Sequence, residues 1–86
     1  MDDIAYTTFI NDVAWECQMA ESKYPDWPED VVHASAILNE EAGKLTRSAI
    51  DHAYEFRPNH ETLDDMRRYA HRVAAMAFRL ASNLNP

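Results

Sequence analysis

VVHASAILNEEAGKLTRSAIDHAYEF, residues 31–56, is the stretch whose reading decides the fold. At about 100° per residue its apolar positions Val31, Ala34, Leu38, Ala42, Leu45, Ala49, Ala53 and Phe56 share one face, the pattern of an amphipathic helix. Glu41 lies within that apolar arc. A buried, isolated, ionised carboxylate costs several kcal/mol, so it must be neutralised, paired with a cation or bound to a metal. What satisfies Glu41 is therefore the central chemical question of this chain.

Working outward, Tyr6, Ile10, Val13, Cys17, Ala20 and Tyr24 recur at helical spacing. They predict a first helix that stops at Pro25, because proline disfavours helix in the residue before it. Asp26, Trp27 and Pro28 form a tight connection. Pro28 suits the first turn of the next helix, and Glu29 and Asp30 complement the positive end of its dipole, so the second helix is expected from about here to Phe56. Pro58 and Asn59 break the chain again, with Asn59 as the expected N-cap. A third helix follows, with Leu63, Met66, Ala70, Val73, Ala77, Leu80 and Leu84 on one face. The single glycine and the lack of alternating β-branched runs argue against a sheet. The fold class is all-α: one domain over residues 1–86, an antiparallel up-down-up bundle of three main helices.

Composition narrows the function. A formal net charge of −7 opposes nonspecific attraction to nucleic acid or anionic lipid, although Arg67, Arg68, Arg72 and Arg79 enrich the third helix in cations. Cys17 is the only cysteine, so no internal disulfide can form and a reduced, cytoplasmic setting is expected. No segment approaches the ~18 apolar residues of a membrane span, and Asp2 and Asp3 replace the basic start of a signal peptide. A chain of 86 residues buries a limited core by itself, which predicts self-association into a dimer or larger oligomer. Trp15 and Met19, one turn apart on the side of the first helix opposite its seam, mark the expected interface; Tyr69 and Met76 widen the stripe of the third helix.

The residues also carry a resemblance. His33-Ala-Ser-Ala-Ile-Leu-Asn-Glu-Glu-Ala-Gly-Lys-Leu, at positions 33–45, followed by Ala74-Ala75-Met76-Ala77-Phe78-Arg79-Leu80, resembles the MazG-like branch of the all-α NTP pyrophosphohydrolase superfamily. The lead-in Tyr24-Pro-Asp-Trp-Pro-Glu-Asp-Val, at 24–31, is similar to small phage and bacterial members. Such proteins hydrolyse nucleoside triphosphates to monophosphate and pyrophosphate with Mg²⁺ held by Glu-x-x-Glu on one helix and Glu-x-x-Asp on the next. Residues three apart face one way on a helix, and hard Mg²⁺ takes carboxylate, water and phosphate oxygens.

Laid on this chain, the resemblance keeps one ligand of four. Glu41 matches the first glutamate, Lys44 stands at the second, and the pair on the third helix falls on Tyr69 and Arg72. A site of about −4 becomes one of about +1, which repels Mg²⁺. Lys44 and Arg72, with the Tyr69 hydroxyl, are expected to take the metal's place against Glu41 and to be phosphate-contact candidates. The resemblance thus implies a homologue with lost or strongly reduced catalysis and a residual nucleotide-binding or interaction role. One alternative is an active enzyme in which Glu41 is joined by Asp65, or by a neighbouring subunit's acids, to hold Mg²⁺. Another is a purely structural or regulatory helical interaction protein.

Other candidates are weaker. Glu61 and Asp64 form a Glu-x-x-Asp at the wrong register. Gly43 costs about 1 kcal/mol relative to alanine inside a helix, which predicts close approach of another helix there. His52, near the apolar arc, reads as a hydrogen-bonded histidine rather than a ligand; Asp30-x-x-His33 is half of a diiron pattern without its second half.

Overall fold

A computed structural model describes residues 2–55 and 60–84. The chain is all-helical: α1 spans Asp3–Lys23, α2 Val31–Ile50 with a π-helical turn at Asp51–Glu55, and α3 His60–Ser82. No strand occurs among the described residues. None of the helices searched is long and apolar enough to cross a membrane. The expected Phe56 end of the second helix and the Pro58–Asn59 break lie outside the described residues.

Local chemistry explains each boundary. The Asp2 side chain accepts a hydrogen bond from the Ile4 amide at 3.1 Å, satisfying a donor that the first turn of α1 leaves open. At the other end Tyr24, ahead of Pro25, leaves helical geometry with φ −133° and ψ 78°. α2 begins three residues after Pro28 rather than at it. Asp30 is the N-cap, accepting from the Val32 amide at 3.0 Å, and so acts as the starting signal rather than as a first-turn acid.

α2 does not continue as a uniform helix. The Asp51 amide is shared between the Arg47 and Ser48 carbonyls, and the backbone widens into the π turn. A widened turn inserts a residue and rotates everything after it. Ala53, expected on the seam, is consequently exposed. The turn brings His52 Nδ1 within 2.7 Å of Thr62 Oγ1 on α3, the hydrogen-bonded role expected of this histidine.

The helices run up, down and up, with α3 packed against both others while α1 and α2 do not meet. Asp12, Glu16, Cys17 and Tyr24 of the first segment meet His71, Arg72, Ala75 and Arg79 in increasing order, so α1 runs parallel to α3. The result is a V of two helices opening from α3.

The core lies at the base of that V. Cys17, Ala75 and Met76 are buried there, with Val13, Ala20, Trp27, Ile37 and Leu38 packed on them; Ala34 is also buried. Of the expected first seam, Val13, Cys17 and Ala20 turn inward, whereas Tyr6, Ile10 and Tyr24 remain exposed. On α3 the buried positions are Ala75, Met76 and Arg79, on the flank of the expected apolar stripe rather than along it. α1 and α2 both grip that flank, so Leu63 and Ala77 of the stripe stay exposed.

Candidate functional site

The V encloses a cleft of about 540 Å³. α3 contributes Arg72, Met76 and Arg79 to its floor, α1 contributes Glu16 and Met19 to one wall, and α2 contributes Ile37, Glu41 and Lys44 to the other. Trp27, in the α1–α2 connection, closes one end.

Arg79 is the least expected occupant. Only 5% exposed, it donates to the Tyr24 carbonyl at 2.8 Å, and its guanidinium lies 4.8 Å from the centre of the Trp27 ring. Those contacts fold the connection back over α3: a charged donor satisfies a carbonyl at the end of α1, and the indole face attracts the cation. No carboxylate forms an ion pair with Arg79 among the described residues, so the cleft carries a buried positive charge held by a dipole and a ring. The sequence placed Arg79 only among helix-three cations. Its signal was a lone arginine inside the apolar run Ala74–Leu80.

The residues singled out by the resemblance divide between two places. Lys44 Nζ lies 3.3 Å from Glu41 Oε1 and 3.9 Å from Glu40, supplying the cation next to Glu41. Arg72 does not join it. Its Nε is 3.6 Å from Glu16 Oε2, tying α3 to α1 through an acid only 12% exposed, so the expected Arg72–Glu41 contact is replaced by an interhelical pair. Glu16 escaped the sequence reading because only its position beside Cys17 on the seam marks it. Tyr69 takes no part around Glu41 either; its ring packs between the Arg68 and Arg72 guanidinium groups, at 5.7 and 5.5 Å.

Glu41 is 18% exposed as a side chain, and its Oε2 is buried without a hydrogen-bond partner among the described residues. One oxygen of this carboxylate is paired and the other is not. Asp65, the expected second metal ligand, sits instead in a separate depression of about 380 Å³ with Arg47, Asp51 and Thr62, and pairs with Arg68 at 3.0 Å. Lys44 lines both hollows. Among the described residues no three His, Cys, Asp or Glu side chains converge as a metal site. The described acids therefore do not fit the Mg²⁺ that the resemblance implies.

One other reading changes, that of Gly43, while Cys17 keeps its place on the seam. A methyl group built on Gly43 would meet nothing within 4 Å, so no helix approaches there and the glycine is not explained by packing. Cys17 is buried, with Sγ donating to the Ala75 carbonyl at 3.7 Å. Burial pushes its thiol above the ordinary range; Glu21 and Glu16 push the same way and Arg79 opposes them.

The lining of the cleft mixes cations with apolar surface. Lys44, Arg72 and Arg79 offer hydrogen bonds to an anion, and Trp27 and Met76 offer apolar contact, beside the acids Glu16, Asp26, Glu40 and Glu41. Compared with family models, curated proteins and solved structures, the chain matches none.

Proposed function

We propose that this chain is a MazG-like NTP pyrophosphohydrolase homologue that has lost catalysis and retains a nucleotide-binding role in the cleft between α1 and α2. One observation carries the reading: Arg79 is a buried cation without a carboxylate partner among the described residues, held against Trp27 on the floor of an open cleft. A buried charge without a counter-charge is costly, and an anionic ligand supplies that counter-charge. The planar guanidinium suits phosphate oxygens, and Lys44 and Arg72 stand within the same hollow. Loss of catalysis is supported by Lys44 pairing with Glu41 and by Asp65 lying in the other depression.

The test is a titration of the purified protein with nucleoside mono- and triphosphates and with inorganic phosphate, read by amide NMR shifts and tryptophan fluorescence. Saturable shifts around Trp27 and Arg79, weakened about tenfold in Arg79→Lys, are expected from the loss of the bidentate fork. Absence of any shift at millimolar nucleotide overturns the binding role. A parallel assay of pyrophosphate release with Mg²⁺ or Mn²⁺ should give no turnover above background. Robust release abolished by Glu41→Gln would instead establish the enzyme with a rearranged site.

A further inference from the structure

The apolar stripe of α1 is covered along only half its length. Tyr6, Phe9, Ile10, Val13, Cys17 and Ala20 fall within an arc of about 100° on one face of the helix. At the C-terminal end of that stripe Cys17 is buried, and Val13 and Ala20 pack with it on Ala75 and Met76. The N-terminal end is bare. Every residue from Asp2 to Asp12 is exposed, Tyr6 to 52% and Ile10 to 44%. Phe9 marks the boundary, its ring 5.5 Å from the His71 ring of α3. Single exposed apolar side chains need no explanation. Three of them continuing the register of a packed seam are the unused half of a helix–helix contact.

Charge decides what fits there. Residues 1–22 hold five acids, Asp2, Asp3, Asp12, Glu16 and Glu21, and no lysine, arginine or histidine. Asp3 borders the bare stripe on the Ile10 side, Asp12 borders it on the Phe9 side, and Asp2 stands at the head of the helix. From α3, His71 lies 3.8 Å from Asp12, and Arg72 is paired with Glu16. Nucleic acid and anionic lipid are repelled by such a surface. A second copy of α1 is repelled as well, because it would set acids against acids. The complement is a helix whose own apolar stripe is bordered by lysine and arginine.

We infer that the N-terminal half of α1 is a docking surface for a basic amphipathic helix of another protein, which seats apolar side chains on Tyr6, Phe9 and Ile10 and cations on Asp3 and Asp12. This inference is independent of what the cleft binds. Ile4, Trp15 and Met19 lie on the other side of α1 and take no part in it.

The probe is a synthetic amphipathic helix of leucine and lysine, about 18 residues long, titrated into the full chain and followed by calorimetry and amide NMR shifts. Binding should have a Kd of about 10 µM at low salt, weaken in about 0.5 M salt, and shift the amides of residues 3–13. Tyr6→Ser with Ile10→Ser removes apolar surface without changing charge at exposed positions, so helix content by circular dichroism should persist and affinity should fall about tenfold. Trp15→Ser should leave the affinity unchanged. No binding at about 1 mM peptide overturns the inference, as do shifts confined to Trp27 and Arg79. Equal affinity for the same peptide with glutamate in place of lysine, or for the Tyr6→Ser, Ile10→Ser variant, overturns it too. If the wild type sediments as an oligomer that this double variant dissociates, the occupant is a second copy and the inference fails.

Discussion

Arg79 and Trp27 hold the α1–α2 connection onto α3, with guanidinium and indole 4.8 Å apart and the arginine 5% exposed. The contact does two things at once. It satisfies the Tyr24 carbonyl where Pro25 ends the first helix, and it stores a positive charge beneath the cleft.

Arg79→Ala should destabilise the fold by about 2–3 kcal/mol. A charge-assisted hydrogen bond contributes about 1.5–3 kcal/mol and a desolvated cation–aromatic contact about 2, while removal of an uncompensated buried charge offsets part of that loss. Urea unfolding gives the number. A change below about 0.5 kcal/mol would mean that the contact holds nothing in place.

Glu41 and its two candidate cations are separable by double-mutant cycles. Glu41–Lys44 should couple weakly, by about 0.5 kcal/mol, because Lys44 is half in solvent and the pair lies within one helix. Glu16–Arg72 should couple more strongly, by about 1 kcal/mol, because its acid is nearly buried and it joins two helices. The Glu41–Arg72 cycle should read zero. Coupling there of about 1 kcal/mol would place Arg72 on the wrong acid.

Glu41→Met should raise stability. The orphaned Oε2 costs about 1–3 kcal/mol in the folded chain, while the pair to Lys44 is worth about 0–1, so the penalty removed exceeds the interaction lost. A fall in the unfolding midpoint would show that Oε2 is satisfied in solution.

Gly43→Ala should also stabilise, by about 1 kcal/mol, since helix propensity improves and the added methyl meets nothing. Thermal melting suffices as a measure. A destabilised Gly43→Ala would reveal a contact at this position from outside the single chain.

Cys17 should react slowly with a soluble disulfide reagent in the folded protein and quickly in urea, because it is buried and its thiol is raised. The sign of the pH effect follows from the same shift. As pH rises through the ordinary thiol value of about 8.5, the unfolded chain loses the Cys17 proton first and binds fewer protons than the folded one, so stability falls. Cys17→Ala should flatten that alkaline decline. An equal slope in the variant assigns the decline to other groups.

Much of the fold could be read from the chain because its signals are local. Pro25 stops α1 as expected, and the apolar spacings locate all three helices. The start of α2 was misplaced because two stop-start signals, Pro28 and Asp30, compete within three residues, and the side chain that caps the amide prevails. The π turn had no warning, since no residue pattern in Asp51–Glu55 marks it; it accompanies the approach of His52 to Thr62 on the other helix. The candidate site was legible only in part. Lys44 reaches Glu41 because three residues on one helix fix their distance. Arg72 had a choice between helices, and only packing decides that it meets Glu16. Periodicity identified the apolar stripe of α3 but not which flank the other helices would cover.

Because α1 touches α3 but not α2, the molecule is joined in series, and its parts need not open together. α2 and α3 are neighbours in the chain and pack on each other, whereas the Cys17–Ala75 contact spans 58 residues. α1 is thus expected to dock last and to leave first. In native-state hydrogen exchange its amides should share one lower opening free energy, while those of the hairpin exchange through global unfolding. α1 carries a whole wall of the cleft, so the same local opening that frees its amides should also expose the cleft floor on α3 to solvent.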